Sequence, residues 1–421
     1  MCSQPSLPFR STPLAIAFIV FLLPMTVSTV ADDLYLAGAA DDKYASLQNV
    51  FRENFELGLE RAGAAFAVFK DGKLVCNLYG GTANETNGQK WTKKSMSVLF
   101  STTKSISATV LAGVLNANKV SYDTKVASIW PEFAQHDKQE ITIKQVSLHQ
   151  AGLTYSDEKV TQEYVTDWRK MSEYFEKATP VWTPGTASGY HALTIGFLFD
   201  QIVRRIDPQK RGLVQILNED YIDKYDIEDL SIGLKKPCDN YRVARLRLPT
   251  EDEIQKDGAA QPIAFERYSL SDNIHNQKLY ETWDWIKIEH YNLYENRLLP
   301  MPSNMGIGNA RSLAQFHSLL ATKSVFNQSF YDLLKEPVLL EEMDVVNQYE
   351  ESKAYGYQMT KNPLDQWVFG HSGYGGQNVR VDVHNGLSYA YVTNELKIAD
   401  ADFVIPWKRL VDELYNIIKQ T

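Results

Sequence analysis

The sequence predicts an α/β fold, with one strand-and-helix layer built from both ends of the chain and a mainly helical region inserted between them. Three observations carry this. Near the N-terminus two apolar runs, residues 64–69 and 74–79, flank Asp71-Gly72, a tight-turn dipeptide. Near the C-terminus residues 367–369, 377–383 and 387–393 have strand character, and Asn385-Gly386 is a hairpin turn between the last two. From about 101 to 350 the apolar spacing is mainly helical, so the layer is expected at about 41–100 and 350–420. A chain of 421 residues, 44% hydrophobic and 12% aromatic, can bury a large core and is not mainly disordered.

The elements follow in order. Arg10 is the only charge before Asp32, residues 14–25 are apolar, and small residues end at Ala31. This is the order of a secretory signal peptide, expected to span 1–31 and to leave a single domain at 32–420. The apolar run is short of the ~20 residues that span a bilayer, and no stable membrane span is expected. An uncleaved anchor is the alternative. Cleavage removes Arg10 and Cys2, making the net charge one unit more negative than −9 and leaving Cys76 and Cys238, which pair or stay separately buried. In a secreted glycoprotein, Asn84-Glu85-Thr86 and Asn327-Gln328-Ser329 are acceptor tripeptides.

Residues 41–61 carry Tyr44, Leu47, Val50, Phe51, Phe55 and Leu59 at helical spacing, before the first hairpin. Gly80, Gly81, Asn84 and Gly88 then mark a polar loop. Helices are expected at 101–115 and 142–148, near 163–177, 189–206 and 212–222, and at 313–320; residues 250–300, polar and aromatic without clear period, form a variable loop region. The amphipathic stretch 402–418 closes the chain.

The chemistry begins at Ser101-Thr102-Thr103-Lys104. A serine hydroxyl needs a base, and residues i and i+3 share a helical face, so Lys104 can take the Ser101 proton if burial keeps some amine neutral. Ser156-Asp157-Glu158-Lys159 has the same spacing in an acidic stretch without an apolar helix behind it. Gly189-Tyr190-His191-Ala192 puts a tyrosine, a possible second proton carrier, before a helical run. His191 is assigned to the pocket wall or its support. Gly370-His371-Ser372-Gly373-Tyr374-Gly375-Gly376 lets a substrate approach a strand backbone closely.

In this order the three segments resemble the penicilloyl-serine family: class C β-lactamases, D-alanyl-D-alanine carboxypeptidases of the peptidase S12 type, related serine esterases and animal β-lactamase domain-containing proteins. Residues 141–153, ending His149-Gln150-Ala151-Gly152-Leu153, and residues 304–314 are similar to two supporting segments of that family. The resemblance implies a β-lactamase/transpeptidase-like fold, an antiparallel sheet flanked by helices. It also implies Ser101 as acylated nucleophile, Lys104 as its base, Tyr190 as second acid/base and His371 in the hydroxyl network. The N–H groups of Ser101 and Tyr374 would form the oxyanion hole, with Ser372 and Gly373 lining the substrate site. No metal or organic cofactor is implied.

Two departures bear on substrate. Ala192 stands where class C lactamases carry Asn, and His371 stands where they carry Lys, so a substrate carboxylate loses a permanent charge there. A secreted serine hydrolase cleaving ester or amide bonds of a small-molecule or peptide substrate is the leading expectation. A catalytically weak binding or assembly module, and a true β-lactamase or D-peptidase, are the alternatives. The acidic balance disfavours nucleic acid as a partner. No zinc-ligand pattern, phosphate loop or Gly-x-Ser-x-Gly elbow is present.

Overall fold

Alternation along the strands settles the layering. The computed structural model describes residues 34–399 and 401–420, and the signal segment expected at 1–31 lies outside them. In chain order the strands among the described residues are β1 (Leu36–Ala40), β2 (Gly63–Lys70), β3 (Lys73–Asn84), β4 (Gln89–Lys90), β5 (Ser97–Val98), β6 (Leu230–Ile232), β7 (Gly306–Gly308), β8 (Leu339–Met343), β9 (Glu350–Ala354), β10 (Tyr357–Lys361), β11 (Trp367–Gly373), β12 (Gln377–Asp382) and β13 (Leu387–Thr393). The large sheet runs β1-β3-β2-β13-β12-β11-β10-β9-β8, antiparallel at every pairing, with β4 beside β3. β5, β7 and β6 form a small second sheet. The first hairpin and the C-terminal strands thus meet at the β2–β13 pair, as one layer built from both ends requires.

Successive residues of a strand face opposite sides. In β2, Ala64, Phe66 and Val68 join one core, and Ala65, Ala67 and Phe69 the other. The first core is covered by the helices Ser46–Glu56 and Ile405–Lys419, through Leu47, Phe51, Trp407, Leu410 and Leu414. The second packs on Ala310–Ala321 and Thr103–Asn118, through Leu313, Phe316 and Ile106. Thr103–Asn118 is buried on almost all sides, which marks a helix in the core of a large domain.

Several expectations need correction. Gly80 and Gly81 lie inside β3, which runs on to Asn84. A Cβ at Gly80 would stand 2.5 Å from the Tyr35 carbonyl oxygen, so the glycine lets β1 cross closely instead of ending the strand. The stretch 250–300 holds helices: Glu251–Ala260, capped by a Thr250–Glu253 box, then Pro262–Leu270 and Ile274–Thr282, the last capped by Asn273. Ile263, Ile274 and Tyr280 are exposed and only single apolar residues such as Ala264 and Leu279 are buried, so no continuous core-facing stripe signals them; caps mark the first and third. The helix expected at 163–177 is split at Asp167, whose carboxylate caps Trp168–Lys177. The one expected at 189–206 starts only at Ile195. The sheet reaches back to Leu339, and β6 and β7 interrupt the helical region.

Cys76 is buried and Cys238 exposed, and both thiols are free. Burial pushes the Cys76 thiol up to about 12. Among the described residues no helix is long and apolar enough to cross a membrane.

Candidate active site

The serine turn is built by a change of backbone direction. After β5, Phe100 adopts a left-handed conformation (φ 46°) and leads into a 3-10 turn, Phe100–Thr102, that runs into Thr103–Asn118. Thr102 Oγ1 donates to the Leu99 carbonyl (2.6 Å), and Thr103 Oγ1 to that of Phe100 (2.5 Å). The Gly306 N–H donates to Thr103 Oγ1 at 2.8 Å, tying β7 to the turn. Ser101 is left half-buried on the wall of a cavity.

Lys104 follows one helical turn later, buried. Its Nζ lies 3.1 Å from Ser101 Oγ and donates to the carbonyl oxygens of Ala192 (2.8 Å) and Ser303 (3.0 Å). It also sits 4.7 Å from the centre of the Tyr190 ring. Burial holds the amine well below the ordinary lysine value, against the opposing charge of Glu351.

Tyr190 lies in an irregular segment fixed by its backbone. Its N–H donates to Asp344 Oδ1 (3.0 Å), and its carbonyl accepts from Thr154 Oγ1 (2.9 Å). The next N–H, that of His191, donates to His149 Nδ1 at 2.9 Å. His191 Nε2 accepts the Leu153 N–H, so its proton is on Nδ1, 2.6 Å from the Gly189 carbonyl. Burial brings its pKa down to about 4. His191 is therefore a support of the tyrosine segment, and His149 stacks against Tyr190 at 5.1 Å.

His371 comes from β11, its ring 6.1 Å from that of Tyr190. Nδ1 lies 2.6 Å from the Ser372 carbonyl, an acceptor, so Nδ1 carries the proton and Nε2 is the ring's acceptor. Burial, then the nearby Lys104 charge, holds His371 well below the usual imidazole value. Ser372 gives its N–H and hydroxyl to Gln358 Oε1 (2.8 and 3.0 Å). A Cβ on Gly373 would stand 2.5 Å from the Leu99 carbonyl oxygen and 3.2 Å from the Thr102 nitrogen. Only glycine brings β11 this close to the serine turn. Tyr374 follows, its ring edge-on to Phe100 at 5.7 Å.

Ser101, Tyr190, His371, Ser372, Gly373 and Tyr374 all line one cavity, with Lys104 behind Ser101. The second Ser-x-x-Lys is not part of it: Lys159 is exposed and paired with Asp284 at 2.5 Å.

Sequence reasoning missed the support behind the cavity. Asp344 holds the Tyr190 N–H and pairs with buried Lys353 at 2.6 Å. Lys353 also meets Glu351 at 3.1 Å; Gln358 Nε2 donates to Glu351 Oε1 at 3.1 Å, and Gln358 in turn holds Ser372. One buried chain of polar contacts thus joins the tyrosine segment to β11. In the sequence these residues sit in an acidic stretch that has the look of a solvated face. Arg267 and Tyr268, also on the cavity wall, fall in the stretch that shows no period.

The family model of the β-lactamases matches residues 51–412. The chain belongs to the β-lactamase family. It is 32% identical over 215 residues to the esterase/β-lactamase LipL of Mycobacterium tuberculosis, a match that covers 51% of this chain and about half (49%) of that relative. Among solved structures it is similar to a penicillin-binding protein homologue from Caulobacter crescentus, with TM-score 0.76 and 28% identity over 91% of this chain and 100% of the other. It is likewise similar to a family VIII carboxylesterase, with TM-score 0.74 and 26% identity over 91% of this chain and 100% of that one. Within the β-lactamase fold, the antiparallel sheet with flanking helices agrees with the expected architecture.

Proposed function

We propose that this β-lactamase-family protein hydrolyses ester or amide bonds through an acyl intermediate on Ser101. The observation that carries the reading is the Lys104 amine. Two of its directions go to the carbonyls of Ala192 and Ser303, and the third faces Ser101 Oγ at 3.1 Å. In the neutral form favoured by burial, two N–H bonds serve the carbonyls and the lone pair faces the hydroxyl. Lys104 then takes the Ser101 proton as Oγ bonds to the substrate carbonyl carbon. The resulting oxyanion accepts hydrogen bonds from the N–H groups of Ser101 and Tyr374. Tyr190 passes a proton to the leaving oxygen or nitrogen as its bond to carbon breaks. Water then attacks the acyl carbon and gives its proton to Tyr190; the bond from that carbon to Ser101 Oγ breaks, Lys104 returns its proton to Oγ, and the acid leaves. His371 Nε2 accepts within this hydroxyl network.

The names of LipL and of the family VIII carboxylesterase support the ester reading. A non-catalytic binding module would leave a buried amine aimed at a serine without a use. A fluorophosphonate probe is expected to label Ser101 and to fail on Ser101→Ala, with turnover of a chromogenic butyrate ester lost in parallel. Labelling at another residue, with turnover retained by the alanine variant, overturns the proposal. A chromogenic cephalosporin assayed beside the ester separates β-lactam from ester hydrolysis.

A further inference from the structure

We propose that Arg267 anchors a carboxylate of the substrate inside the Ser101 cavity, an inference that rests on the reading of Ser101 as nucleophile. The helix Pro262–Leu270 presents one face to the cavity: Ala264, Arg267, Tyr268 and, just past its end, Ser271 all line it. The spacing of three and four residues puts them on one side. The Arg267 guanidinium carbon lies 4.2 Å from the centre of the Tyr349 ring and 4.6 Å from that of Phe403. Two aromatic rings thus hold the flat group, and Tyr349 is itself part of the cavity wall.

On the cavity wall, Arg267 is a cation whose donors are not engaged. Arg61, Arg211, Arg242 and Arg247 all bond carboxylates within the protein. Among the described residues Arg267 has ring contacts but neither a hydrogen bond nor an ion pair. The other cations at the cavity are committed. Lys397 pairs with buried Glu60 at 2.9 Å, and Lys104 serves two carbonyls. Glu351 on the same wall is matched by Lys353, so among the described residues the cavity offers no equivalent site for a substrate amine. A guanidinium is permanently charged, and its planar fork fits the two oxygens of a carboxylate. In a partly desolvated cavity that pairing is stronger than at the surface. The anionic end of the substrate is thereby met from the helical wall, where the strand offers only a neutral histidine.

Three esters test this: phenyl butyrate, phenyl hydrogen succinate with a carboxylate on the acyl side, and 4-carboxyphenyl butyrate with one on the leaving side. Binding is measured calorimetrically to the Ser101→Ala protein, which cannot turn them over. At least one acid ester is expected to bind about 10- to 100-fold tighter than phenyl butyrate. Arg267→Met is expected to bring that ratio close to one, and Arg267→Lys, which keeps the charge and loses the fork, to restore part of it. Equal binding of all three esters, or an acid preference that survives Arg267→Met, overturns the proposal. Phenyl butyrate turnover by the parent protein reports separately on the hydrolase reading, so failure of one is distinguishable from failure of the other.

Discussion

At the residue level the decisive group is Lys104. A buried ammonium is unfavourable, and two carbonyl oxygens offset that only in part, so the amine loses its proton below the ordinary lysine value. Lys104→Met removes the proposed base and is expected to lower kcat/KM for a neutral ester by roughly 100- to 10,000-fold while leaving the fold intact. Lys104→Arg keeps the charge but cannot give up its proton, and is expected to be as inactive as the methionine variant. In the proposed role the active form of Lys104 is the neutral one, so kcat/KM is expected to fall as pH falls through its lowered pKa. The limb is therefore expected well below 10.5, read from a pH–rate profile with a hydrolytically stable ester. A midpoint at 10.5 would contradict the assigned role. His371 and His149 are both neutral at pH 7 and held well below 6.5, so neither adds a limb at the usual histidine value.

At the level of elements, the proposed catalysis depends on how β11 is held against the serine turn. Gly373→Ala forces a Cβ into the Leu99 carbonyl and moves the strand away. Because a displacement near 1 Å at a reacting centre costs about 100-fold, a rate loss of that order is expected, with an unchanged circular dichroism spectrum. Behind the strand, Lys353→Met leaves Asp344 and Glu351 buried without their cation. A loss of roughly 3–5 kcal/mol is expected in denaturant melts, together with lower activity, because Asp344 holds the Tyr190 N–H. The elements also show what a sequence makes visible. β12 was legible because Val379 and Val381 alternate with polar residues, and β13 because its apolar and aromatic run follows the Asn385-Gly386 turn. The helices from 251 to 282 were not, since only single apolar residues such as Ala264 and Leu279 are buried while Ile263, Ile274 and Tyr280 are exposed, which leaves no periodic stripe to read. Ser101, Lys104, Tyr190 and His371 could be found because each lies in a short local pattern. Asp344, Lys353, Glu351 and Gln358 could not, because their meaning arises only when β8 to β10 fold beside β11.

For the whole molecule, the two-sided sheet places several ionisable groups where water does not reach, and this sets its response to acid. His149, His191, His317 and His371 are all buried and neutral; His191 and His317 are drawn down to about 4, and the other two well below 6.5. Burial is the first cause in each case. His317 bridges helices, with Nε2 2.8 Å from Ser105 Oγ and Nδ1 2.8 Å from the Leu313 carbonyl. For a histidine whose folded pKa is depressed, the unfolded chain binds more protons between the folded value and about 6.5. Its contribution to stability is therefore full above pH 6.5 and is lost progressively as pH falls toward 4. Each group adds a slope of up to about 1.4 kcal/mol per pH unit in that window. Glu60, raised by burial, runs the other way, against these four histidines and His275, which burial also lowers. Glu253, held at about 2 chiefly by Arg247, adds its own loss only below the ordinary carboxylate range. Urea melts at pH 7, 6, 5 and 4 are thus expected to show stability falling before the carboxylates begin to titrate. His317→Gln, away from the cavity, is expected to reduce the slope between pH 6 and 4 by about one proton. A stability that stays flat from pH 7 to 5 would mean that these histidines are solvated, and the packing described for both faces of the sheet would have to be revised.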